Sequence, residues 1–215
     1  MSEDNIKTLI DDMTGDWQPA GKMWHPVARV VPWAALMVVY IYGVVMYVGL
    51  RRDWPGIADD IFFIFEIGLT AMMAISAAIA SSWLGIPDMG GRKWVLYVPL
   101  TLFGVFILWL GCHVYGQGGL PLLSRHQGLH HCFSEGLLMG TVPVAGLMFL
   151  TRRGATTRPF MSAFMSILAG GALGWIGLRF SCGATNMVHV LLYHFLPFVL
   201  MGGVIGSLAR WLYRW

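Results

Sequence analysis

Six apolar stretches of about 20 residues or more, separated by short polar joints, dominate the chain. They run roughly over 28–50, 60–86, 94–116, 132–150, 160–180 and 188–209. A stretch of about 20 residues is long enough to cross the hydrocarbon core of a bilayer as a helix. Inside lipid the backbone must satisfy its own hydrogen bonds, so each crossing has to be helical. The predicted fold is an all-α integral membrane protein, a six-helix transmembrane bundle preceded by a short amphipathic N-terminal cytoplasmic helix. Composition supports this, since 57% of the 215 residues are hydrophobic and only 12% charged. A soluble domain carries about 25% charged residues. No domain linker interrupts the chain, which divides into a tail (1–26) and a membrane domain (27–215). The opening Ser2, Glu3, Asp4 and Asn5 do not read as a signal peptide. The net charge of +3 is too small to point to direct nucleic-acid binding.

Basic residues near span ends set the orientation. With the N-terminus cytoplasmic, the inside holds Lys7, Lys22, Arg29, Arg92, Lys93, Arg152, Arg153, Arg158, Arg210 and Arg214. The outside holds Arg51, Arg52, Arg125 and Arg179. This asymmetry predicts both termini in the cytoplasm. Small residues in the second, fifth and sixth spans, among them Ala74, Ala78, Gly170, Gly174, Gly202, Gly203 and Gly206, are expected to let helix backbones approach closely.

Residues able to carry chemistry gather at one predicted membrane level. Cys132 begins the fourth span and Cys182 ends the fifth, both on the outer side. His113, His126, His130, His131 and His189 lie near the same level, with Glu135 one turn into the fourth span and His194 deeper in the sixth. Thiolates favour Cu(I) and zinc, and imidazole suits copper and zinc, so a transition metal ion is one candidate ligand. An oxidising compartment makes a disulfide between Cys132 and Cys182 the other. Three cysteines without a CxxC pair argue against a zinc ribbon or a thioredoxin-type motif. His189 and His194, five residues apart, match one face of an α-helix poorly. Glu66 lies within the second span, where a carboxyl is expensive and normally paired, with the histidines or Arg179 as partners.

The tail carries a second signal. Ile6, Leu9, Ile10 and Met13 follow the i, i+3, i+4, i+7 pattern of one helical face. Asp11, Asp12 and Asp16 lie around this stripe. So short a helix is marginal alone in water and suits docking into a partner's groove.

The segments HHCFSEGLLMGTVPVAGLMFLTRRGA (130–155), LGWIGLRFSCG (173–183) and VHVLLYHFLPFVLMGGVIGSLARW (188–211) resemble the NrsF family of six-span membrane anti-sigma factors. The shared arrangement is a Cys opening the fourth span, a Cys closing the fifth, and His194-x-x-Pro197 in the sixth. The resemblance implies a non-enzyme whose acidic N-terminal segment sequesters an extracytoplasmic-function sigma factor at the bacterial inner membrane. It further implies that Cys132 and Cys182 mediate a response to heavy metal or oxidant. The rival readings are a haem or copper electron-transfer protein and a small metal transporter. Few charged residues lie deep in the spans to mark a transport pathway.

Overall fold

The computed structural model describes residues 3–15, 24–116, 131–184 and 186–213, and every regular element among them is helical. Helix α1 covers Glu3–Gly15, α2 Pro26–Val48, α3 Trp54–Ile57, α4 Ile61–Leu84 and α5 Tyr97–Gly116. Then follow α6 over His131–Arg152, α7 over Pro159–Ser181, the short α8 over Met187–His189 and α9 over Leu196–Leu212. A π-helical segment, Val190–Phe195, joins α8 to α9 without a break. Among the described residues six helices are long and apolar enough to cross a membrane: Pro26–Val48, Ile61–Leu84, Lys93–Gly116, His131–Arg152, Pro159–Ser181 and Val190–Leu212. Their bounds follow the hydropathy-based spans to within a few residues.

Local chemistry sets several of these bounds. Pro26 and Pro159 stand at the starts of α2 and α7, where a missing N–H costs nothing and the fixed φ suits a helix. The Asp60 side chain caps α4 by accepting from the Phe62 N–H at 2.9 Å. Gly49 ends α2 with φ +107, a backbone angle that favours glycine.

Helix α7 is the axis of the bundle. Its most apolar window is 72% buried, against 28% or less for the corresponding windows of α2, α5 and α9. It packs chiefly on α6 and α4, with α2 and α9 closing other sides. Small side chains make this contact close. A Cβ on Gly177 would lie 2.6 Å from Met139 Sδ, and one on Gly170 would lie 2.7 Å from the Val144 backbone nitrogen. Gly140 and Gly174 are both filled against the Phe198 ring. Such proximity supplies the packing that replaces a hydrophobic drive inside lipid. The sixth span departs from expectation. Gly203 and Gly206 face open space, and a Cβ on Gly202 would meet only Ile167 at ordinary contact distance. These glycines lie away from the tight α6–α7 seam, whereas the α4 alanines Ala74, Ala77, Ala78 and Ala80 are buried, so small-residue packing involves α4, α6 and α7 rather than the sixth span.

The helices alternate in direction, which gives the bundle two distinct ends. At one end the start of α2 meets the end of α4, where Ser82 Oγ donates to the Pro26 carbonyl at 2.9 Å. The Thr151 and Tyr213 hydroxyls meet there at 3.2 Å. At the other end Arg51, three residues past the end of α2, donates its backbone N–H to the Phe180 carbonyl at 3.0 Å. Its guanidinium donates to the Arg179 carbonyl at 3.3 Å and to both oxygens of Asp53 at 2.7 and 2.8 Å. The Arg51 guanidinium therefore holds the Asp53 carboxyl below the usual carboxylate range.

Helix α1 is helical over the predicted stripe but packs on nothing described. Leu9 is 56% exposed and Met13 73%, with Ile6 and Ile10 also exposed. Asp11 and Asp12 share the helix, and Asp16 lies outside the described residues.

Candidate functional site at the thiol end of the bundle

Four side chains from three stretches of chain converge where α6 begins and α7 ends. Cys132 lies in the first turn of α6, and Cys182 follows the last residue of α7. Their Sγ atoms are 3.3 Å apart and both cysteines are free. His189 Nε2 lies 3.5 Å from Cys182 Sγ. His194 completes the group, and one ligand atom from each of the four side chains lies within 4.8 Å of all the others. All four are buried, Cys132 and Cys182 at 6% exposure, His189 at 3% and His194 at 0%.

The thiols are electrically unequal. The Cys132 S–H donates to Cys182, and this bond, followed by the contact with His189, draws the Cys182 thiol below its ordinary pKa against the opposing effect of burial. A thiolate is the form of sulfur that binds metal and attacks oxidants.

His189 and His194 share this site because the helix between them is not α. The Leu196 N–H donates to the Leu191 carbonyl, an i→i+5 bond, and Val190–Phe195 form a π-helical turn. Residues five apart then lie nearly one above the other, and the two imidazoles approach to 5.3 Å between ring centres. Pro197 supplies a cause. It has no N–H for the Tyr193 carbonyl, and its ring crowds that carbonyl, so the α-helical ladder cannot run through this point. The expectation that a spacing of five matches one face poorly is corrected by this local widening.

The other sequence candidates distribute differently. His131 starts α6 and is exposed. His113 stands apart in the last turn of α5, its ring 4.2 Å from Trp109 and its Nδ1 3.3 Å from the Trp109 carbonyl. Glu135 is half-buried on α6 and is not one of the converging group. His126 and His130 lie outside the described residues.

Glu66 finds the partner its position demands. The Arg179 Nε lies 2.8 Å from Glu66 Oε1, and Arg179 Nη2 donates to Oε2 at 3.1 Å. Trp175 Nε1 donates to Glu66 Oε1 at 2.7 Å. Glu66 is 1% exposed and Arg179 6%, so this is an ion pair inside the bundle, between α4 and α7. The Trp175 ring also meets the His194 ring edge-on at 5.9 Å. A contiguous path thus runs from the thiols through His194 and Trp175 to the ion pair. Of its members only Trp175 had no signal in the sequence, because an indole in an apolar span looks like core.

The family model for NrsF, described as negative regulator of sigma F, matches residues 13–215. The chain belongs to the NrsF family. It is a negative regulator of a sigma factor by that membership, with a sigma factor as its partner. No match was found among curated proteins or among solved structures. The matched segment takes in all six candidate spans and all four converging residues, and it begins at Met13, inside α1.

Proposed function

We propose that this NrsF chain is an anti-sigma factor that sequesters an extracytoplasmic-function sigma factor at the bacterial inner membrane. It releases the factor when Cys132 and Cys182, on the outer side, meet a heavy metal or an oxidant. The observation that carries this reading is a division of labour between the bundle's ends. The chain enters α2 at the end opposite the thiols, and α1, which precedes it, presents an apolar stripe that nothing described covers. An uncovered stripe flanked by acids suits a helix that completes itself in a partner's groove.

Both termini are cytoplasmic in this proposal, on the strength of the basic asymmetry. The switch is energetically accessible. Moving an equilibrium from 1:99 to 99:1 takes about 5.5 kcal/mol of differential binding. Structural zinc sites supply apparent values of about 10–16 kcal/mol. Reporter fusions at residue 120 and at the C-terminus test the topology, and a cytoplasmic signal at 120 overturns it. The deciding experiment is co-purification of the cognate sigma factor with the detergent-solubilised chain. Retention before induction and release after it are expected. Failure of the factor to co-purify with the uninduced parent overturns the sequestration reading.

A further inference from the structure

The thiol pair alone would be equally suited to oxidation or to metal. The geometry points to a metal: we propose that Cys132, Cys182, His189 and His194 form one S2N2 centre for a thiophilic d10 cation of the Zn2+, Cd2+ or Cu+ class. This deepens the sensing half of the proposed function and rests on that reading for its biological role.

Four observations carry it. First, the donor set is complete, because a closed zinc-type site takes four ligands and two sulfurs with two imidazoles are a recurrent combination. Second, the spacing fits. A shared ion at ordinary Zn–S and Zn–N bond lengths separates two sulfurs by about 3.8 Å and a sulfur from a nitrogen by about 3.5 Å. The corresponding distances are 3.3 Å for the sulfurs and 3.5 Å for Cys182 to His189, and all four ligand atoms lie within 4.8 Å of one another, so shifts of about an ångström gather them round one ion. Third, His194 is fully buried, yet neither of its ring nitrogens makes a hydrogen bond of acceptable geometry. A buried polar group without a partner is costly, and a disulfide between the cysteines would leave it so. A cation shared with the thiols gives one of these nitrogens a partner. Fourth, the π-helical turn aligns His189 with His194, and single π turns of this kind are frequently found at functional sites.

The ligands come from α6, from the residue after α7, and from the start of the sixth span. Binding a divalent ion releases the thiol protons to solvent and leaves the oxidation state of both sulfurs unchanged. No oxidant is needed.

The test uses the full chain, reduced, in nanodiscs, titrated separately with Zn2+, Cd2+ and Cu+. One ion per chain is expected, with a sulfur-to-cadmium charge-transfer band in the Cd2+ arm. Cys132→Ser, Cys182→Ser and His194→Gln should each weaken binding at least about 100-fold. X-ray absorption of the zinc-loaded parent is expected to show two sulfur and two nitrogen neighbours, which keeps the test sound even if a variant folds poorly. Undiminished binding by a folded His194→Gln protein overturns the site, and so does an all-oxygen or all-nitrogen shell. Absence of binding, with sigma release driven by oxidant alone, also overturns it while leaving the sequestration reading intact. Tight binding without sigma release leaves the site standing and overturns the reading of that metal as the release signal.

Discussion

The buried pair Glu66–Arg179 offers the sharpest quantitative test of how the bundle is held. Glu66→Gln keeps the shape of the side chain and removes its charge. The Arg179 guanidinium, 6% exposed, then has no counter-ion where Glu66 had stood at 2.8 Å. Breaking a buried pair by neutralising one partner typically destabilises by about 3–5 kcal/mol. The glutamine oxygen can still accept from Trp175 Nε1, so the effect of Glu66→Gln should fall near the lower end, about 3 kcal/mol. Glu66→Leu also leaves the Trp175 N–H unsatisfied and should approach about 5 kcal/mol. Glu66→Leu combined with Arg179→Met removes both charges and should recover most of the loss, since apolar replacements of whole pairs are often neutral or better. Reversible unfolding in mixed micelles, titrated with denaturing detergent and analysed as a double-mutant cycle, reads these values. A Glu66→Gln protein within about 1 kcal/mol of the parent, with a coupling energy near zero, would refute the reasoning.

Three further outcomes are expected. Cys132→Ser and Cys182→Ser should leave the sigma factor bound but abolish induction by metal or oxidant, while Cys112→Ser, exposed on α5, should respond normally in the same reporter assay. Leu9→Asp should abolish repression without lowering membrane protein level, because a charge entering a desolvated groove is costly; full repression by the inserted variant would dismiss the α1 stripe as the binding face. Gly154→Ala should destabilise by about 1–3 kcal/mol, since its Cβ would meet the Gly85 backbone carbonyl carbon at 2.8 Å. Gly203→Ala, with nothing near its Cβ, should leave the unfolding midpoint nearly unchanged.

The spans were legible because bilayer thickness imposes a length on apolar runs that needs no tertiary information. The same constraint placed Cys132 and Cys182 at matching boundaries, and it marked Glu66 as a residue in need of a partner, with Arg179 among those named. What stayed hidden depends on helix phase. Five residues on an α-helix separate two side chains by about 140°, so His189 and His194 read as pointing apart. Only the Pro197-associated π turn brings them together, and a helix period cannot be read from a run that is apolar on every side. The same uniformity hid which glycines face a neighbour. Gly174 and Gly206 look equivalent in sequence, yet one is pressed against Phe198 and the other faces open space. His113 illustrates the converse: a shared membrane level put it with the cysteines, whereas its position on α5 pairs it with Trp109 and Phe62.

A π turn can be regarded as an α-helix holding one surplus residue. Were Val190–Phe195 to relax into regular α-helix, everything beyond it would turn by about 100° and slide by about 1.5 Å. Phe198 would leave the space it fills beside Gly140 and Gly174, and Ala209 and Arg210, at the far end, would change the neighbours they meet. The angular setting of the whole last span, down to the end where the chain enters α2, is thus indexed by six residues beside the thiols. His189 and His194 bracket that index, and whatever holds those two rings together also fixes the rotation of α9.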